Sequence, residues 1–313
     1  MSVPCLDEER GVPTGLAYLI VVLVWATTPL AIKWSAEAVP PVMAGMSRMM
    51  LAVAIGLPWL WLQGQRLAWT RSALRAYIVA LPGVFGAMAL SYLASQYVPS
   101  GLISVMFGLA PLLSGLVMQA LPGTVRLNAW HWAGCLTGVL GLAVVFLDGM
   151  AANSDMVIGI LLLLGAVSGF VGTGLLVKQY AHGMQPLQHT LGSLVLSLPL
   201  YGLLSFALGE HLVFGDNVTG LWAILYLAVF GSLIGFVCYF LILSRLPAAT
   251  VALVTLITPV LALLLGALFN GEQPHARVLL GAAMIVSALG LYIFGDRRVR
   301  RAVLARAGSA SPQ

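Results

Sequence analysis

The sequence predicts an all-α integral membrane protein of ten transmembrane helices, arranged as two inverted five-helix repeats. Three observations predict it: an apolar composition with few charges, ten apolar runs of bilayer length, and a proline-bearing segment that occurs twice. The 313 residues are 60% hydrophobic and 8% charged, with a mean hydropathy of +1.00. A soluble domain carries about 25% charged residues, and none of this size could hide so much apolar surface. The net charge of +5 is not a nucleic-acid footprint, because a third of the Lys and Arg sit in the terminal run "DRRVRRAVLARAG". That run suits a cytoplasmic anchor against anionic lipid.

About twenty apolar residues cross a bilayer as a helix. By that measure, spans are expected near 14–33, 41–62, 74–95, 99–121, 130–148, 157–178, 187–208, 220–244, 247–269 and 277–295. The links between them are short and leave no room for a soluble domain. Backbone groups in lipid must be satisfied within their own segment, so each run is a helix. The segment before them, "MSVPCLDEER", is acidic, and the apolar stretch after it exceeds a signal-peptide core; the first helix is read as retained. The expected organisation is a cytoplasmic N-terminal segment over 1–13, repeats over 14–148 and 157–295, and a basic cytoplasmic tail over 296–313.

Charge placement sets the orientation. Arg10, Arg66, Arg71, Arg75, Arg126, Lys178, Arg245 and the five tail arginines share one side, leaving only Lys33, Arg48 and Arg277 near the other. Positive residues gather on the cytoplasmic side, so both termini are expected there.

Taken in order, the helices carry few polar groups. Trp25 and Thr28 share a face of the first. Arg48 lies about six residues, or roughly 9 Å, into the second. A charge at that position either snorkels to the headgroups or faces a substrate. Ser91, Tyr92, Ser95 and Gln96 fall on the third. In the fourth, Ser100, Ser104, Phe107, Pro111, Ser114 and Met118 recur at three- and four-residue steps, a mildly polar stripe that could line a pathway or let helices pack closely. Ser168 lies midway along the sixth, and Ser193, Ser197 and Tyr201 line one face of the seventh. Tyr239 is on the eighth. In the ninth the stripe becomes Ala248, Ala252, Thr255, Pro259 and Ala262, with Thr258 beside it. The fifth and tenth have few polar groups and are expected at the periphery. Glycine pairs at 134/138, 165/169 and 231/235 read as close helix packing.

The repeat is visible at an offset of 148 residues. "YVPSGLISVMFGLAPLLSGLVMQALPG", residues 97–123, returns as "RLPAATVALVTLITPVLALLLGALFNG", residues 245–271, with Pro99 on Pro247, Pro111 on Pro259 and Gly123 on Gly271. Ala80 falls on Ala228 and Gly83 on Gly231. "GLAYLIVVLVWATTPLAIK" matches "GILLLLGAVSGFVGTGLLVK" with one gap. Five is odd, so a second copy must enter the membrane upside down, as in transporters that rock about a midplane site. Pro111 and Pro259 each remove a helix hydrogen bond near mid-membrane and are candidate hinges.

These residues resemble the drug/metabolite transporter superfamily, specifically its EamA-type bacterial members. The likeness covers essentially the whole chain and is clearest in "WATTPLAIK", the Pro-bounded fourth and ninth helices, "FNGEQP" and "ALGLYIF". One departure is that the family often has an acidic residue after the fourth helix, whereas here Gly123 is followed by Thr124 and Arg126. The resemblance implies a bacterial inner (plasma) membrane location and export rather than import.

No Asp or Glu lies near the middle of any span, and the five histidines fall near helix ends or in loops without metal-ligand spacing. Cys5, Cys135 and Cys238 show no local metal or redox spacing. No GxxxxGK[ST] loop is present. The expectation is therefore no cofactor, no metal and no catalytic constellation; an integral membrane enzyme would need clustered polar residues at one face. The expected function is a secondary transporter exporting small amphiphilic metabolites, such as amino acids or related compounds, by alternating access with proton or exchange coupling. A passive facilitator of the same fold and a multidrug exporter of organic cations are the alternatives. The expected partners are a small-molecule substrate and the lipid bilayer, with no nucleic acid. The expected cavity residues are Trp25, Thr28, Arg48, Tyr92, Gln96, Ser104, Phe107, Ser168, Tyr239 and Thr255.

Overall fold

The structure is a computed structural model describing residues 12–119, 128–152, 154–180, 184–211, 213, 217–246, 251, 254–273 and 275–309. Only the backbone is described at 118–119, 145–152, 154, 255–257, 293 and 296–309. The N-terminal segment up to residue 11, Gly123, Thr124, Arg126, Pro247, Ala248 and Ala252 lie outside the described residues. Of Thr255, Met118 and the tail arginines only the backbone is described.

The described residues form helices and no strands. In chain order they are α1 (Thr14–Ala38), α2 (Pro41–Leu62), α3 (Arg71–Leu81), α4 (Met88–Ala94), α5 (Ser100–Phe107), α6 (Ala110–Gln119), α7 (Ala129–Ala152), α8 (Ser154–Tyr180), α9 (Pro186–Ala207), α10 (Val218–Tyr226), α11 (Gly235–Arg245), α12 (Val254–Asn270) and α13 (Ala276–Ser309). Seven helical stretches are long and apolar enough to cross a membrane, and three shorter apolar helices, Ala129–Val144, Thr258–Asn270 and Ala276–Tyr292, accompany them. On α1, Leu16, Leu19 and Leu23 recur at helical spacing and are 49%, 52% and 53% exposed. An apolar outer face of that kind suits lipid, not water.

The helix ends follow local chemistry. Thr70 Oγ1 accepts from Ala73 N at 3.2 Å and Asn217 Oδ1 from Gly220 N at 3.1 Å, so each caps a helix start. Pro41 and Pro186 occupy first turns, where no amide donor is needed. Gly64, Gly209 and Gly271 follow α2, α9 and α12 with φ of +70°, +67° and +60°, a left-handed conformation that glycine adopts without strain.

Three runs depart from straight helices. The fourth is broken: Gly108 and Leu109 separate α5 from α6. Gly108 N bonds both Ser104 O and Val105 O, and Leu109 N bonds Met106 O at 3.0 Å, so the last turn of α5 tightens. The cause is Pro111, which has no amide donor and whose ring collides with the carbonyl four residues back. The third and eighth runs each contain a wide π-helical segment, Pro82–Ala87 between α3 and α4 and Leu227–Ile234 between α10 and α11. Such widening is frequent at functional sites. The first run also reaches Ala38, beyond the expected residue 33.

The packing is pairwise across the chain. α1 packs on α10 and α11, while α8 packs on α3 and the first π segment; α2 meets α9, α5 meets α12, and α7 meets α13. Small residues permit the closest of these contacts. A Cβ on Gly134 would lie 2.7 Å from Ala288 O and one on Gly141 2.8 Å from Gly281 O, so α7 and α13 touch backbone to backbone. A Cβ on Gly169 would lie 2.6 Å from Pro82 O, which sets α8 against the first π segment. The thiols of Cys135 and Cys238 are buried and free.

Candidate functional site

Where the paired helices meet, they leave a central cavity of about 60 Å³. Its wall draws Trp25, Thr28, Pro29 and Ile32 from α1 and Ile103, Ser104 and Phe107 from α5. Met88 and Ser91 come from α4, and single residues come from five further elements: Arg48, Phe170, Gly231, Phe236 and Thr258. Pockets for drug-sized ligands need about 300 Å³ or more. In this conformation the space has the volume of about two water molecules at ~30 Å³ each, and a metabolite would require the helices to part.

The apolar part of the wall is an aromatic cluster centred on Phe170. Its ring lies 5.5 Å from Trp25 at 74°, 5.7 Å from Phe107 at 69°, and 5.5 Å from Tyr239. Edge-on pairs at these distances contribute about 0.5–1.5 kcal/mol each beyond area burial. Tyr239 also packs on Trp25 at 4.9 Å, behind the cavity surface.

The polar part is dominated by Arg48. Its side chain is 1% exposed, so it does not snorkel; it turns inward to the second π segment. Nε donates to Ser232 Oγ at 2.6 Å, and Nη1 lies 3.9 Å from Met88 Sδ. Nη2 fills the space above Gly231, where a Cβ would come within 2.9 Å of it. No carboxylate among the described residues forms an ion pair with the guanidinium. Thr28 and Ser91 also face the cavity while bonding the carbonyls of Val24 and Ala87 in their own helices, each at 2.7 Å.

Of the residues expected in the cavity, Trp25, Thr28, Arg48, Ser104 and Phe107 share its wall. Tyr92 is fully buried but sits to one side. Its ring and that of Tyr201 converge on Gly45, and neither hydroxyl has a partner among the described residues. Gln96 is exposed just after α4. Ser168 is exposed, with its hydroxyl donating to Leu164 O at 2.8 Å. Pro111 is half-buried in α6, and Pro259 is buried inside a continuous α12. A Cβ on Gly108 would lie 3.6 Å from Pro259 Cγ, so the break in the fourth run rests on the ninth. Sequence reasoning missed Phe170, Phe236 and Gly231. Aligning Lys33 with Lys178 places Trp25 on Phe170 and would have found the first.

One end of the bundle is clasped above the cavity. Glu272, after α12, accepts from Ser100 N at 2.8 Å and Gly101 N at 3.3 Å, so it caps α5. Asn270 donates to Glu272 at 3.0 Å and accepts from Trp34 Nε1 at 2.9 Å. Lys33 donates to the carbonyls of Ser95 and Val98. Glu210, after α9, accepts from Val42 N and Met43 N at 3.0 Å and caps α2 in the same way. A carboxylate at a helix N-terminus is favoured by the helix dipole.

The model of the EamA-like transporter family matches this chain twice, over residues 13–147 and 157–294. The chain is 27% identical over 299 residues to the "Uncharacterized inner membrane transporter YedA" of Escherichia coli K12, covering 92% of this chain and 94% of that protein. It is 24% identical over 295 residues to the "Probable amino-acid metabolite efflux pump" of the same strain, covering 90% and 95%. A solved crystal structure with 22% sequence identity superposes with a TM-score of 0.64 over 89% of this chain and 96% of the other, which shows the shared fold. The relatives are transporters by name, and nothing about them indicates an enzyme. An all-helical, multi-pass membrane chain that matches the family over both halves belongs to the EamA-like transporter family.

Proposed function

We propose that the protein is a secondary transporter of the bacterial inner membrane that exports small amphiphilic metabolites, amino acids or related compounds among them, by alternating access. The observation that carries this reading is the cavity itself: an aromatic-walled space at the crossing of helices from both halves of the chain. In this reading ten spans form two inverted repeats, residues 14–148 and 157–295, with both termini cytoplasmic. The pairwise packing supports it, because exchanging the halves turns the α1 contact with α10–α11 into the α8 contact with α3, and leaves α2–α9, α5–α12 and α7–α13 as pairs. The two π segments fall at matching positions, as Gly83 on Gly231 requires. The name of the relative that pumps out amino-acid metabolites supports the substrate class.

The transport cycle follows from the same parts. The clasp at Glu272 closes one end, and the helices must part there for a metabolite to leave. The break before Pro111 and the proline at 259 are the hinges of the fourth and ninth runs, adjacent to each other at the cavity's edge. Export from proteoliposomes under a proton gradient tests the reading. Uphill movement abolished by an uncoupler is expected, and downhill movement alone would indicate a facilitator. Reporter fusions at residues 152 and 313 should lie on opposite sides; the same side for both would overturn the inverted arrangement.

A further inference from the structure

The cavity holds a buried cation with no carboxylate paired to it among the described residues. Arg48 is 1% exposed, about ten ångströms along α2 from Pro41 at the helical rise of ~1.5 Å per residue. A guanidinium keeps its charge in proteins and carries five N–H donors in a planar fork. Here one donor goes to Ser232 Oγ and one points at a thioether sulfur, a weak acceptor. The remaining donors include those of Nη2, beside Gly231 at the cavity wall. Burying a charge without a partner is costly, and an ion pair normally offsets that cost. Two of the acids among the described residues are engaged elsewhere: Glu210 and Glu272 cap helices at the clasped end.

The surroundings narrow what would complete the pair. Trp25, Phe107, Phe170 and Phe236 line the cavity with Arg48, so an anionic group there would be followed by an apolar or aromatic body. Ser232 fixes the fork by its Nε and Met88 Sδ takes one N–H of Nη1, which leaves three N–H donors, at least one on each Nη atom. One N–H from each Nη is what arginine offers a carboxylate.

Resting on the transporter reading above, we propose that Arg48 is the anion receptor of the cavity and that the cargo is a small carboxylate with an apolar body. Organic cations are then excluded by like charge, and neutral amides or esters of the same shape lack the group that neutralises the guanidinium.

The test uses the purified full-length protein and matched probes: phenylacetate against phenylacetamide, L-phenylalanine and L-leucine against their amides, and tetraphenylphosphonium as the cation. Ligand-induced thermal stabilisation reports binding independently of transport. At least one carboxylate is expected to stabilise the protein while its amide and the cation do not. Arg48→Gln should weaken that binding by about tenfold to a hundredfold, and Arg48→Lys by less, because it keeps the charge and loses the fork. The wild-type carboxylate-to-amide comparison needs no variant, so it stands even if Arg48→Gln fails to fold. Equal binding of an amide or of tetraphenylphosphonium, no binding by any carboxylate, or carboxylate binding unchanged in Arg48→Gln would each overturn the proposal. Export of a probe without dependence on Arg48 would defeat this inference and leave the transporter reading standing. Arg48-dependent binding of a probe that is never exported would do the reverse.

Discussion

The two π segments, Pro82–Ala87 and Leu227–Ile234, occupy matching places in the two halves and are used differently. At the first, Thr173 of α8 fills the gap over Gly83: its Oγ1 accepts from Gly83 N at 2.7 Å and donates toward Ala80 O at 3.2 Å. The widened backbone is satisfied and the space is closed. At the second, the gap over Gly231 receives the guanidinium of Arg48, which anchors on Ser232 and still faces the cavity. A backbone deformation shared by both halves is thus packing in one and part of a cavity wall in the other. What decides between them is the side chain delivered by the neighbouring helix: a short hydroxyl that is used up locally, or a charged fork with donors to spare.

Alanine at the two glycines breaks the comparison most sharply. Each new Cβ would press on an atom 2.9 Å away, Arg48 Nη2 in one case and Thr173 Oγ1 in the other. Gly231→Ala should displace the guanidinium and reduce transport by about tenfold, the scale of one lost charged hydrogen bond, with a small change in melting temperature. Gly83→Ala should lower the melting temperature and leave transport per folded molecule largely intact. Equal effects of the two substitutions in both assays would remove the distinction.

Next in size is the pair of prolines. Pro111→Ala and Pro259→Ala restore an amide donor and suit a helix, so folding should survive while turnover slows more than apparent affinity changes. Full turnover with alanine at both positions would make the prolines packing features.

Thr173→Val tests the satisfied half. Removing Oγ1 leaves Gly83 N buried without an acceptor, a cost of about 1–3 kcal/mol, visible in chemical or thermal unfolding without a matching loss of transport. A large transport defect at unchanged stability would mean that the first π segment also binds cargo.

The smallest expected effect is at the clasp. Glu272→Gln keeps an acceptor oxygen but loses the charge at the start of α5, worth about 0.3–1 kcal/mol. Increased thiol labelling of a cysteine placed in the cavity, from the Glu272 end only, is the expected sign. Unchanged labelling would show that the clasp does not control access there.

Much of this was legible in the sequence, for reasons that can be named. Apolar runs of bilayer length gave the helices, and stripes at three- and four-residue steps gave Trp25, Thr28, Ser104 and Phe107, which do share a wall. A stripe tells which residues share a face of one helix, not which neighbour covers that face. Hence Gln96 and Ser168 were expected in the cavity and are exposed, and Tyr92 is buried against Gly45 instead. Arg48 was ambiguous because depth along a helix does not fix direction; snorkelling or facing inward depends on the room left by Gly231 and the hydroxyl of Ser232 on another helix. The π segments left no periodic trace, since one extra residue per turn is invisible in apolar spacing. The carboxylate caps by Glu210 and Glu272 were hidden for the same reason as most tertiary contacts: their partners lie 168 and 172 residues away in the chain.

The central claim is that the space between the halves is the route of transport, reached from each side in turn. Ser104, on its wall, is 4% exposed in this conformation. A Ser104→Cys variant in a background with Cys5, Cys135 and Cys238 replaced would be treated with a membrane-impermeant thiol reagent in right-side-out and inside-out vesicles. The account predicts labelling from both faces, with loss of transport in proportion to labelling. A cysteine that stays unreactive from both sides in a transporting protein would contradict it.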